Sequence, residues 1–185
     1  MYTKVSIPKA SAGAGAPLPK NPDITIIDVD DVVSEPTRSH GDTALTGNFT
    51  LKEGAKAVKI YATPTTIAPG FEVSGEVDAK GFIKKLEFTH PGDDKAVNDF
   101  IESHANVGMI ALVGNCADGT KKVYGSKCNP LYLGVEPTLN NEATNHKITL
   151  QQAMADAFLP GIYSGTDVSV ADPATEDDGS DGESD

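Results

Sequence analysis

The chain has no tryptophan, and only two of its 185 residues are cysteine. No apolar run approaches the roughly 20 residues needed to cross a bilayer, which leaves no candidate membrane helix. Positive charge is also scarce: 15 Lys and Arg stand against 27 Asp and Glu, for a formal net charge of −12. That balance argues against a protein that holds nucleic acid by its phosphates and fits one that repels DNA and other anions. There is no Gly-Lys-Ser/Thr phosphate loop and no Gly-x-Ser-x-Gly elbow. The N-terminal stretch MYTKVSIPKASAGAGAPLPK lacks the apolar core of a signal peptide, so the expectation is a protein made, or assembled, in a cytoplasm.

What is present describes an architecture. Eighteen Gly and twelve Pro, with many Thr and Val, fit a turn-rich β protein, and the length allows one domain with a real core. Residues 1–22 carry four prolines and an Ala-Gly run. They read as an extended arm, disordered or ordered only against a neighbour. A β-rich domain is expected over 23–165. From Thr166 to Asp185 there are eight acids and no Lys or Arg. That segment reads as a disordered acidic tail, and without it the chain would carry −4 rather than −12.

Within the body, β-branched residues predict a strand over 24–33. Residues 43–70 read as two or three short strands broken at Gly47, Glu53-Gly54 and Pro64. The stretch FEVSGEVDAKGFIKKLEFTH is the strongest β segment. Phe82, Lys84, Leu86 and Phe88 share one parity, and the phase slips near Gly81, as a bulge or turn requires. One helix is expected over 93–105. Asp93 and Asp94 stand at its start, Val97, Phe100, Ile101 and His104 follow at helical spacing, and Asn106 is suited to a left-handed end. Val97, Phe100 and Ile101 are the residues expected to cover a sheet. After it come an apolar strand (VGMIALVGNC), the turn pair Asp118-Gly119, and a second β run. A strand is favoured at 146–153, with helix around 151–158 as the alternative.

The two cysteines, Cys116 and Cys128, flank this hairpin. With Asp118-Gly119 as a two-residue turn, Cys116 faces Lys121, and Cys128 lies seven residues further along, roughly 24 Å away at 3.4 Å per residue. A disulfide needs Cα atoms within about 7 Å, so free thiols are expected. Without Cys-x-x-Cys spacing or a nearby His they also make a poor zinc site. His40, His90, His104 and His146 are scattered and read as surface or half-buried. Asp28, Asp30 and Asp31 read as acids at a strand end rather than a cation site, and DDGSDGESD as a solvated tail rather than a calcium loop. Asn48-Phe49-Thr50 is a glycosylation sequon by pattern only. No catalytic, cofactor or metal residue is assigned, and an enzyme is the least favoured class.

The order GEVDAKGF…LEFTHPGDDKAVNDFI…VGMIALVGNCADGTKKVYGSKCNPLYL, within Gly70 to Tyr163, resembles virion structural proteins of tailed bacteriophages that infect Bacteroidetes, most of all their tail tube proteins. About half the chain carries the likeness, and the acidic C-terminal segment has no counterpart in it. The resemblance implies a mainly β, α+β fold: a β-sandwich or rolled antiparallel sheet flanked by one helix. It also implies copies of the chain in hexameric rings stacked into a tube, other tail proteins as partners, a location in the virion tail, and DNA passing without specific binding. No cofactor, metal or membrane is implied. The alternatives are a capsid decoration or head–tail connector protein, and a small cytoplasmic ligand-binding β domain.

Overall fold

The computed structural model describes residues 4–11 and 13–173. In chain order the strands are β1 (Asp23–Asp28), β2 (Val32–Ser34), β3 (Ala44–Leu45), β4 (Thr50–Leu51), β5 (Val58–Tyr61), β6 (Ala68–Ser74) and β7 (Gly81–Pro91). The helix α1 (Lys95–His104) follows, then β8 (Met109–Gly114), β9 (Lys121–Tyr124), β10 (Leu131–Leu139), β11 (Thr144–Gln152) and β12 (Gly161–Tyr163). The protein is therefore mainly β with a single α-helix.

One strand organises the rest. In β8, Met109 to Val113 are all buried, and a strand with apolar side chains on both faces has to be covered on both. One edge of β8 pairs antiparallel with β1, Thr25 opposite Leu112, and β1 pairs with β5. Its other edge is shared. Ala111 to Gly114 pair with β9, while Met109 pairs with Leu131 of β10. Between β9 and β10 the chain turns at Gly125, which has φ +83° and where a Cβ would come 3.0 Å from the Met109 carbonyl oxygen. At this corner the sheet rolls. β9, β12 and β3 continue one half, and β10, β11, β7 and β6 form the other. Ile24, Ile26 and Ile60 of the first half share a core with Leu86, Phe88, Ile148 and Leu150 of the second. The opposite face of β8, through Ile110 and Leu112, packs with Ile27, Val32, Phe49, Val123 and Tyr163. The sheet is mixed rather than wholly antiparallel, because β12 runs parallel to β3.

The helix starts at Asp94, whose carboxylate accepts the Val97 amide at 2.9 Å, so the acid caps the first turn rather than occupying it. Val97 and Phe100 are buried, and Ile101 is half-buried against the core. The helix ends at Ala105 in a right-handed conformation. Asn106 does not take the left-handed role, since Asp78 is the only described non-glycine with positive φ.

Several expectations are corrected. The strand over 24–33 is interrupted by a 3₁₀ turn at Val29–Asp31, which moves Val32 to the second core. The phase slip near Gly81 is the turn of the two alternatives expected there: a hairpin loop over residues 75–80, between paired Ser74 and Gly81. The strand near 146–153 runs Thr144–Gln152, and residues 153–158 form no helix. The arm is not free along its whole length: the Asn21 amide donates to the Gly114 carbonyl, and the Cys116 amide to the Pro19 carbonyl. The body does not end at Gly165. Thr166 donates to Asn48, Val168 packs on the second core, and Val170 bridges Ala57 in parallel. The remaining tail, residues 174–185, lies outside the described residues.

Two outcomes follow. Phe100→Ala removes a ring that packs on the core and stacks on His104 at 4.1 Å, and is expected to cost about 3–5 kcal/mol in denaturant unfolding. Truncation after Gly165 is expected to lower stability by about 1–3 kcal/mol through loss of the valine contacts, while truncation after Pro173 leaves the melting temperature unchanged.

Candidate functional site

The chemistry-bearing side chains gather at the rolled corner. Lys84 occupies an inward position of β7, in the same parity as Leu86 and Phe88, and only 3% of its surface is exposed. Its ammonium donates to Asp156 Oδ2 at 2.6 Å. Asp156 is held by the segment after β11, where residues 156 and 82 exchange backbone hydrogen bonds. Gln152, at the end of β11, accepts the Lys84 amide through Oε1 at 2.9 Å. Its Nε2 donates to the Asn129 carbonyl at 2.8 Å and to Asp156 Oδ2 at 3.1 Å. Asn129 Nδ2 adds a bond to Asp156 Oδ2 at 3.2 Å, and the Phe158 amide caps Asp156 Oδ1 at 2.8 Å.

Lys84 and Asp156 border a cavity of about 300 Å³, also lined by Arg38, Ser126, Cys128 and Phe158. Arg38 sits over the Phe158 ring, 4.7 Å from its centre, and donates to the Leu159 carbonyl. Burial opposes ionisation of Asp156, but hydrogen bonds from Lys84, the Phe158 amide and Gln152 outweigh it and hold the carboxyl below its ordinary value. Burial lowers the Lys84 ammonium below its ordinary value, against the pull of the Asp156 carboxylate. The pair is internally satisfied. Among the described residues no buried side-chain nitrogen or oxygen lacks a partner. A lysine neutralised in this way is a fastener. It ties β7, β11, the corner loop and the segment at 156 together, and presents no free base or nucleophile.

The residues singled out from sequence are not brought together. Asp118 and Gly119 lie at the tip of the β8–β9 hairpin, but the turn is longer than two residues. Gly114, not Cys116, faces Lys121, and residues 115–120 close through the Asn115 amide on the Thr120 carbonyl. Gly119 has φ +65° and Asp118 accepts the Thr120 amide at 2.9 Å. Cys116 and Cys128 are both free and exposed, the first beside the arm and the second at the cavity. Val97 and Phe100 line a different feature, an apolar groove of about 570 Å³ between α1 and β5. His146 is buried rather than half-buried: Nδ1 lies 3.0 Å from the Gly92 carbonyl and Nε2 3.6 Å from Asp93. Asp28 faces His104 at 3.3 Å, and burial raises its carboxyl above the ordinary value against the pull of the imidazole. No group of three or more His, Cys, Asp or Glu among the described residues is placed to hold a metal ion. No described helix is long and apolar enough to cross a membrane.

Sequence reasoning missed the Lys84 cluster, although one signal was available: a lysine in the apolar parity of a strand. Comparison with known proteins adds no relative, since no family model, curated protein or solved structure matches the chain.

Removing one partner of the buried pair leaves the other charge uncompensated. Asp156→Ala is expected to cost about 3–5 kcal/mol. Lys84→Met combined with Asp156→Asn is expected to recover part of that loss, because no charge is left unpaired, although the asparagine nitrogen then faces either the Phe158 amide or the Gln152 and Asn129 donors. The Asp156 carboxyl titrates below its unfolded value, so its contribution is present above an ordinary pKa of 3.8 and is lost as pH falls through the lower folded value. Melting curves between neutral and acid pH should show a shallower acid limb for the double variant than for the native chain.

Proposed function

We propose that the chain is a structural virion protein whose copies form stacked rings of a phage tail tube, a conduit for DNA, assembled in the host cytoplasm and located in the virion tail. The observation that carries the reading is the free edge of the sheet. β6 is the last strand of its half: its seven residues pair with β7 along one edge, and the other edge has no strand beside it among the described residues. Phe71 and Val73 on it are 50% and 58% exposed, and Val77 at the hairpin tip is 78% exposed. Folded monomers blunt such edges with charge, bulges or covering loops. Here the edge is seven residues long, with Pro69 and Glu72 as its gatekeepers and the exposed Phe71 and Val73 between and beside them. A neighbouring copy that continues the sheet would satisfy both its hydrogen bonds and its apolar surface.

Two further features support the reading. The likeness to tail tube proteins runs through this same hairpin and on into β8 and β9. The acidic balance, −12 in all and −4 without the segment from Thr166, suits a wall past which DNA slides, since a basic wall would hold the phosphates. The internally satisfied Lys84 cluster supplies no catalytic group that would favour an enzyme.

Electron microscopy of the purified protein tests the proposal. Tubes or stacked rings are expected. Isolated rings would favour a connector, and monomers a ligand-binding domain. Val73→Lys, an exposed change on the β6 edge, is expected to abolish rings and tubes while leaving the circular dichroism spectrum and melting temperature of the body unchanged.

A further inference from the structure

We infer that the groove between β5 and α1 receives residues 4–9 of a second copy of this chain as an added β-strand. The inference rests on the reading of the protein as self-assembling, and it names the contact that the arm makes.

The groove is a half-finished sheet edge over an apolar floor. β5 pairs with β1 on one side only. The Ala62 amide donates to the Pro22 carbonyl across that pair, whereas Ala57 directs its amide and carbonyl outward, to Ser169 and Ala171. Backbone groups alternate along a strand, so Lys59 and Tyr61 also face outward. The Tyr61 carbonyl is taken by His90 at 2.9 Å. The Lys59 groups and the Tyr61 amide have no backbone partner among the described residues.

Among the described residues, the chain's own C-terminal segment covers only the start of this edge, at Ala57. Val170 bridges Ala57 in parallel. The ladder would continue with the Lys59 amide on the Ala171 carbonyl, a bond that is not made, and after it would need, on the Lys59 carbonyl, the amide of residue 173. That residue is proline, which has no N–H to give. Beyond it the sequence ATEDDGSDGESD has no side chain larger and more apolar than alanine, so it is a poor occupant for a floor made of Val58, Ile60, Val97, Phe100 and Val170.

The arm has the complementary pattern. In LysValSerIleProLys, Val5 and Ile7 share one parity and Lys4 and Ser6 the other, which is what a strand with one buried face requires. Pro8 ends the ladder after four residues, and β5 is itself four residues long. Within its own chain the arm is undocked: Val5 is 71% exposed and Ile7 96%. Charge agrees. Residues 1–22 contain Lys4, Lys9 and Lys20 and no acid. The groove is rimmed by Asp94 and Asp172 with Lys59, and the sequence continues past Pro173 with six acids in twelve residues.

Cross-linking between two populations of full-length chain tests this, both with Cys116→Ser and Cys128→Ser. One also carries Ile7→Cys, the other Ala96→Cys, at an exposed helix position lining the groove. A short bismaleimide is added to the mixture and the products are read by denaturing gel and mass spectrometry. A dimer joined between positions 7 and 96 is expected, and it should disappear when Val5→Asp is added to the first population. Oligomers by light scattering without a 7–96 link would overturn the placement while leaving self-assembly standing. Monomer at every concentration would overturn both. A single chain carrying both cysteines that links only to itself would show the arm folding back, and would overturn the exchange between copies.

Discussion

Everything in this fold depends on covering β8. A strand whose side chains from Met109 to Val113 are all buried cannot lie on a protein surface, and burying each large aliphatic side chain contributes about 1.5–3 kcal/mol. One face of β8 is closed by the rolled second half of the sheet, the other by the short strands β2 and β4 and the segments leading from them to Ala57. The corner at Gly125 exists because β9 and β10 must share one edge of β8. A glycine is favoured there because φ is +83°, a conformation that strains any other side chain, and because a Cβ would crowd the Met109 carbonyl and Leu131.

The same demand explains where the polar groups went. Rolling the sheet carries an inward position of β7 to the corner, where Lys84 meets Asp156, Gln152 and Asn129. A buried ion pair gives little net stability compared with apolar packing, but it penalises every arrangement that separates its partners. Here it fixes the corner loop to two strands of one half. The interior is thus fully satisfied among the described residues, while the periphery is not: β6 and β5 present unpaired backbone, and the arm presents uncovered valine and isoleucine. A body closed within and open at its edges is the arrangement expected of an assembling subunit.

Much of this could be read from the residues, and the failures have physical causes. The helix was legible because Val97, Phe100 and Ile101 repeat at helical spacing, and β7 because its parity is clean. The β8–β9 hairpin was legible in kind but not in register. Asp-Gly implies a two-residue turn, yet the observed loop spends four residues between Asn115 and Thr120 and places only Gly119 in the left-handed region. The segment after Gly165 was misread because composition averages over a run, whereas packing uses single side chains: Val168 and Val170 bind the body despite their acidic neighbours. The Lys84 cluster was hidden because its partner is far away in sequence. The lysine's parity was visible; the carboxylate that makes it tolerable was not.

The order of strands also constrains how the chain can acquire its shape. β1 can pair with β5 early, but its other edge is filled only when β8 exists, since Thr25 pairs with Leu112, and β3 waits for β12, since Ala44 pairs with Ile162. Only hairpins such as β6–β7 and β10–β11 can close from nearby residues. A topology weighted toward distant pairings folds slowly, because loop-closure entropy is spent before the contacts that offset it form. During synthesis the first strands therefore leave the ribosome able to form only the small β1–β5 and β2–β4 pairs, with apolar faces bare and exposed to one another on neighbouring chains. Many copies made close together must each complete β8 before any of them has an interior.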